Sequence, residues 1–306
     1  MTVRVDFLVG CTGSGKGRVG RMLAERIGAE IISVDSMKVY RRMDIGTAKP
    51  TTEDRARVRH HVIDVVEPCE NFSVAQFVEA ADAAIRDIVA RGRRVLAVGG
   101  TCLYVKCLSE GLFQGPGADP RLRASIRQRA EREGLTALHQ ELARVDPAAA
   151  DRIHPNDLRR IERALEVYQL TGIPISDLQR QWDRERTRYD CRFIGLRREK
   201  TDQAMRINAR VHRMLNMGLV DEVRHLLAEP AGLGRVAAQA VGYAEIIAHL
   251  EGRCSLDHAT EQIKINTRHL AKSQRTWFRR WRDVTWIDVE RDEPTENVVA
   301  RVLKHL

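Results

Sequence analysis

Short apolar runs separated by stretches with a helical period organise the first third of the chain. Val5 to Gly10 is apolar except for Asp6 and ends in glycine, the pattern of a strand buried on both faces. The same reading predicts strands at Glu30 to Val34, His60 to Val66, Arg94 to Val98, Cys191 to Leu196 and Val284 to Val289. Between the first of these, Val19, Met22, Leu23 and Ile27 share one face of a helix over Arg18 to Ile27. Phe77, Ala81, Ile85 and Val89 do the same over Val74 to Ala90. Met43 to Pro50 has no period and reads as a loop punctuated by Gly46 and Pro50. Strand and helix in alternation predict an α/β fold, a parallel sheet with right-handed crossovers flanked by helices.

The pattern changes near Gly111. From 115 to 190 the strand runs disappear, and Leu165, Val167 and Leu170 recur among polar residues as in short packed helices. A small helical insertion at 115–190 is therefore expected, dividing a core made of 1–114 and 191–306. Three or four helices follow the returning strand, the last long, from Leu256 to Trp281, and Glu296 to Leu306 closes the chain. Trp277, Phe278 and Trp281 are expected to pack rather than to stack on bases.

The first strand runs into Gly10-Cys11-Thr12-Gly13-Ser14-Gly15-Lys16-Gly17, which meets the phosphate-binding pattern G-x-x-x-x-G-K but ends in Gly17 instead of Ser or Thr. Glycines let the loop amides approach a phosphate, Lys16 adds a charge, and the helix start adds unpaired donors. The expected core is thus a P-loop NTPase-like parallel sheet, whose loop by itself would suit ATP, GTP or another diphosphate. In such a sheet, ligands bind at the carboxyl ends of the strands. Lys16, Asp35 and Thr101 converge on that edge. Asp35 either faces the loop or caps the following turn, and the residues alone leave both open.

Composition then narrows the partners. A net charge of +9 and a pI near 9.5 point to a polyanion or to solubility alone. The insertion is dense in arginine, and on the last long helix Lys264, Arg268, Lys272, Arg275 and Arg279 recur at steps of three or four, a basic stripe suited to nucleic acid. Six scattered cysteines form no C-x-x-C pair, so a reduced chain is expected, with Cys11 a small packing residue or a thiol of lowered pKa. His60 and His61, adjacent on a strand, point to opposite faces, which argues against joint metal ligation. No apolar stretch reaches membrane-spanning length and no basic flank precedes an apolar run at the N-terminus, so a cytoplasmic protein away from membranes is expected. Nothing demands more than a monomer.

Several blocks together resemble the tRNA dimethylallyltransferase (tRNA isopentenyltransferase) family. They are Gly10 to Lys16, Ser33-Val34-Asp35-Ser36, Met43 to Pro50, Val98-Gly99-Gly100-Thr101, Arg152 to Asp157 with Arg159 to Glu166, and Val241-Gly242-Tyr243. Thr267-Arg268 with Ala271-Lys272, and Gln274 with Thr276-Trp277, extend the likeness over nearly the whole chain. The resemblance implies transfer of a dimethylallyl group from dimethylallyl diphosphate to N6 of the adenosine 3′-adjacent to a tRNA anticodon, usually with Mg²⁺. It implies a P-loop core carrying an inserted swivel domain that contacts the anticodon stem-loop. Asp35 matches the general base, Thr101 a substrate-contacting residue and Arg210 an arginine that supports the diphosphate. Asp35, Ser36, Met37, Lys38, Arg123, Arg159, Arg160, Ile161, Glu162 and Arg163 match segments that touch the tRNA, joined by Thr101 and by Arg268 and Lys272 of the basic stripe.

The departures carry weight. Gly17 removes a hydroxyl, which leaves the metal ligands unassigned, and Lys38 stands where Gln is common. A lost hydrogen bond to a charged phosphate costs about 1.5 to 3 kcal/mol, roughly tenfold to a hundredfold in rate. Two other classes therefore stay open: a tRNA-binding homologue with weak or lost catalysis, and a small-molecule P-loop kinase.

Overall fold

The computed structural model describes residues 2–113, 115–184, 187–281 and 283–306. Six strands, β1 (Arg4–Gly10), β2 (Ala29–Val34), β3 (His60–His61), β4 (Arg94–Gly99), β5 (Asp190–Arg197) and β6 (Val284–Asp288), form one parallel sheet in the order β3-β2-β4-β1-β5-β6. Every residue of β2 is buried, as is every residue of β1 after Arg4, the mark of strands covered on both faces. The first helices are α1 (Lys16–Ile27), α2 (Thr52–Arg57), α3 (Val74–Ala90) and α4 (Cys102–Glu110). The insertion carries α5 (Pro120–Glu133), α6 (Leu135–Val145), α7 (Pro147–Ala150), α8 (Leu158–Thr171) and α9 (Ile175–Leu178). After β5 come α10 (Lys200–Asn216), α11 (Leu219–Ala228), α12 (Arg235–Ala238), α13 (Tyr243–Leu250), α14 (Leu256–Phe278) and α15 (Thr295–Leu303).

Alternate residues of each strand feed two cores. Leu8, Ile31, Leu96 and Ile194 pack against Val19 and Leu23 of α1 and Val298 and Val302 of α15. Turned the other way, Phe7 stacks on Phe193, and Phe193 meets Trp281 beyond the end of α14, so the late aromatics do pack. From β1 the chain moves toward β2, whereas from β4 it returns past β1 to β5. Connections leaving adjacent strands in opposite directions open a crevice outside their carboxyl ends, here between β1 and β4.

Three sequence expectations change. The strand foreseen over His60 to Val66 ends at His61, because Val62 and Asp64 adopt left-handed backbone at φ 60° and 55°. On α3 the buried face runs Phe77, Ala81, Ile85, Ile88, and Val89 is 40% exposed, since a four-residue step drifts off a 3.6-residue helix. The compact second unit spans Glu110–Arg186, against the expected 115–190, and residue 114 lies outside the described residues.

That unit has its own core of Ile126, Leu138, Leu142, Ile161 and Leu165. Beside it Glu166, fully buried, accepts two hydrogen bonds from Arg123 at 2.8 and 2.9 Å, one from Arg163 at 2.5 Å and one from the Asp119 amide at 2.8 Å. Burial works to raise its pKa, but the two guanidinium groups and the amide outweigh it and hold the carboxyl below the usual range. Glu166→Gln removes the charge both arginines answer. Because those arginines are close to a third exposed, the cost is set at the screened end, about 2 kcal/mol. Hydrogen exchange at the α5 and α8 amides should then quicken by on the order of thirtyfold, and unchanged protection would show that the carboxylate is not what joins these helices.

Candidate active site

The loop after β1 owes its shape to its glycines. Gly13 and Gly15 have φ of 83° and 92°, a region that residues with a Cβ rarely enter. Gly15 caps α1, so the helix starts at Lys16, two residues earlier than its apolar face indicates, and the lysine leaves from the first turn. Gly17 has no such constraint: a Cβ there would meet only the Arg21 Nη1, at 3.8 Å. A Cβ alone would therefore fit, in ordinary contact with that guanidinium.

Two helices distant in sequence strap the loop down. Gln274 of α14 accepts from the Thr12 amide at 2.8 Å and donates to the Gly100 carbonyl at 2.8 Å, joining the ends of β1 and β4. Gln203 of α10 donates to the Thr12 carbonyl at 2.6 Å, Arg206 to the Gly13 carbonyl at 3.3 Å and Arg210 to the Thr12 hydroxyl at 3.1 Å. Arg198, between β5 and α10, donates to the Ser14 carbonyl at 3.1 Å. Sequence reading found Arg210 only through family resemblance and missed Gln203, Arg206 and Arg198. The spacing of 203, 206 and 210 at steps of three and four was the available signal, a polar row beside the apolar Ile207, Val211 and Met214.

Asp35 leaves the end of β2. Its Oδ1 accepts from the amides of Met37 at 2.9 Å and Lys38 at 3.3 Å, so it caps the turn. Among the described residues no donor bonds Oδ2, which stays available, and the charge of Asp35 acts on Lys16. Both sequence readings of Asp35 are thus compatible in one residue. Thr101 Oγ1 accepts from the Ser36 amide at 3.1 Å and ties the β4 end to the same turn. Gly99 and Gly100 make this approach possible, since a Cβ on Gly99 would sit 2.0 Å from the Val34 carbonyl oxygen.

The edge holds more positive charge than the chain neutralises. Burial pushes Lys16 down to about 8, with repulsion from Arg210 and Lys38 adding to the shift and Asp35 opposing it. Burial likewise lowers Lys38 and Arg210, and Arg206 is lowered by burial and by Arg198. Such a cluster is complementary to a polyanion before the polyanion arrives. Burial pushes the Cys11 thiol up, and its packing with Ile207 and Ala271 makes it the small core residue.

Metal ligands are sparse. No group of three or more His, Cys, Asp or Glu side chains fit to hold a metal occurs among the described residues. His61 is spent on Glu30 at 2.7 Å and His60 on the Val58 carbonyl at 2.7 Å. What remains, Asp35 with its open Oδ2 and no hydroxyl at Gly17, fits a magnesium ion that brings most of its ligands as phosphate oxygens and water.

The expected RNA-contacting residues divide. Arg159 and Arg160 are exposed, but Ile161 belongs to the insertion core and Glu162 is buried and held by Arg127, so neither offers a surface. Arg123 and Arg163 answer Glu166. The stripe on α14 is discontinuous: Lys264 is buried against Glu261, Arg268 donates to Asn208 and Arg275 to Gln203, leaving Lys272 and Arg279 exposed.

Fold and edge together define a P-loop-like parallel-sheet core whose strand ends carry clustered positive charge. Residues 38–281 match the family model described as IPP transferase. The chain is 49% identical over 285 residues to a tRNA dimethylallyltransferase of Geobacter metallireducens, covering 93% of this chain and 92% of that protein. It is 48% identical over 307 residues to one of Symbiobacterium thermophilum, covering 99% and 96%. Among solved structures, a tRNA isopentenylpyrophosphate transferase of Bacillus halodurans matches with a TM-score of 0.70 at 39% identity, covering 99% of this chain and 96% of that one. A eukaryotic dimethylallyltransferase acting on tRNA matches at 0.81 and 26%, covering 99% and 78%. The protein belongs to the IPP transferase family.

The ionisation of Lys16 gives a direct test of the edge as an anion site. Its free-state pKa lies near 8, and a bound polyanion raises it. Affinity for an alkyl diphosphate should therefore be flat below pH 8 and fall above it, by at most about tenfold per pH unit, until the bound-state pKa is passed. Calorimetric titration across this range, with Lys16→Met as the control that loses the slope, measures it. An affinity in the wild-type protein independent of pH above 8 would exclude Lys16 from the anion site.

Proposed function

We propose that this protein transfers a dimethylallyl group from dimethylallyl diphosphate to the exocyclic N6 of the adenosine 3′-adjacent to a tRNA anticodon, releasing diphosphate. The observation that carries the reading is one sheet edge holding an unneutralised cation cluster beside a carboxylate with a free oxygen, in a chain of the IPP transferase family. The diphosphate belongs to the prenyl donor on this reading, not to ATP, and nothing in the comparisons favours a kinase or a catalytically lost homologue.

The roles follow from chemistry. The adenine amine is a weak nucleophile, its lone pair delocalised into the ring, so losing a proton as the N6–carbon bond forms lowers the barrier. Asp35 Oδ2 accepts that proton while Oδ1 stays anchored to the Met37 and Lys38 amides. The carbon–oxygen bond to the diphosphate breaks with its electron pair leaving on oxygen. Lys16, Arg210 and the loop amides from Gly13 to Gly17 hold that growing charge without reorganising. Thr101 and Ser36 form the wall that the adenine meets. A magnesium ion, when bound with the diphosphate, would add further neutralisation, and Asp35 would be the residue to hold it through water. The target base must leave its stack, which costs least in a single-stranded anticodon loop. Arg159, Arg160 and Lys272, exposed and basic, are proposed to meet the RNA backbone, and the protein to act as a monomer.

Incubation with dimethylallyl diphosphate, Mg²⁺ and an anticodon stem-loop should add the mass of one dimethylallyl group to the adenosine. Asp35→Asn should lower kcat by about a hundredfold or more while donor affinity changes little. No product from wild-type protein that binds both substrates would sink the proposal.

A further inference from the structure

Gly17 is where the phosphate loop departs from its motif, and a neighbouring side chain stands over the space this leaves. Arg21 lies four residues along α1, so the two positions share one helix face. The Arg21 Nη1 comes within 3.8 Å of where a Gly17 Cβ would be. Its Nε is held at 3.0 Å by Asp54 in the first turn of α2, itself fixed by a capping box with Thr51. One edge of the guanidinium is therefore anchored, and Nη1 remains turned toward the helix start. The Arg21 charge also acts on Lys38, one of the cations gathered at the sheet edge.

We propose that Arg21 stands in for the hydroxyl that Gly17 lacks, donating from Nη1 to a diphosphate oxygen at the N-terminus of α1. This rests on the reading of the edge as a diphosphate site. A hydroxyl at position 17 would help by binding a metal. A guanidinium brings its own charge in a planar fork that matches phosphate. Gly17 and Arg21 then form one device: the absent side chain makes room, and the arginine uses it. Diphosphate binding in this chain consequently leans less on divalent metal than a loop ending in Thr would.

The test is calorimetric titration of inorganic diphosphate into the full chain, without tRNA, in EDTA and in Mg²⁺. Arg21→Ala should bind at least about tenfold more weakly than wild type in EDTA and recover part of that loss in Mg²⁺. Gly17→Thr, whose branched side chain displaces the guanidinium, should also lose metal-free affinity and gain more from Mg²⁺ than wild type does. Should Arg21→Ala fail to fold, Gly17→Thr decides alone. Metal-free affinity within about twofold of wild type in the folded variants overturns the inference. Because wild-type prenyl transfer is measured separately, that result leaves the proposed reaction standing.

Discussion

Positive charge gathered without a matching counter-charge is the constraint around which the core is arranged. Lys16, Lys38 and Arg210 oppose one another's ionisation, and Asp35 is the carboxylate that offsets each of them. Left to relax, such a cluster would spread apart, at a cost that burial increases. Two of the groups that hold the loop in place are neutral. Gln203 and Gln274 supply amide donors and acceptors to the loop backbone, fixing its position without cancelling its field. A glutamate at either place could not donate to the Thr12 or Gly100 carbonyl and would cancel part of that field. The edge is therefore stiff and electropositive at once, the condition for stabilising a leaving group without reorganisation.

The insertion treats the same residue type in the opposite way. Glu162 and Glu166, both buried, draw Arg127 and Arg123 of α5 into ion pairs that join it to α8, and Glu166 takes up Arg163 of its own helix as well. Here arginine is a packing element, and its charge is used up. Density of arginine in a sequence is thus a poor measure of free positive potential, which depends on where the carboxylates fall in three dimensions. The stripe on α14 breaks up differently: Lys264 meets a carboxylate, whereas Arg268 and Arg275 are turned to neutral amides on α10 that hold the side chains without cancelling their charge.

Much of the core was legible because its signals are local. Buried strands read as apolar runs, the phosphate loop as a glycine spacing, and the sheet edge follows once the strands are parallel. The family resemblance added Arg210, whose contact with Thr12 spans most of the chain. What stayed hidden depends on pairing across distance. Gln203 was marked only by its spacing with Arg206 and Arg210 and Gln274 only by the family resemblance, and neither signal points to residue 12, because a neutral amide on a helix is ordinary. The strand expected at His60 to Val66 failed on backbone alone, since left-handed geometry at Val62 and Asp64 breaks no hydropathy pattern.

The loop from Met43 to Pro50 shows how support reaches Asp35 from far along the chain. Its lack of period marks it as irregular, which is different from loose. Glu222 of α11 accepts from the amides of Asp44, Ile45 and Gly46 and from the Tyr243 hydroxyl, so the turn's free donors all converge on one carboxylate. Tyr243 lies flat against Gly46, where any Cβ would come within 2.4 Å of its ring. At the loop's other end Lys49, its side chain buried, donates to the Tyr40 carbonyl and pairs with Asp64. Tyr40 closes the turn that Asp35 caps, with its amide bonded to the Met37 carbonyl. On the proposed reading Asp35 presents one oxygen while the other stays anchored, which needs that turn fixed. The fixing comes from α11 and α13 through a segment with no regular structure of its own.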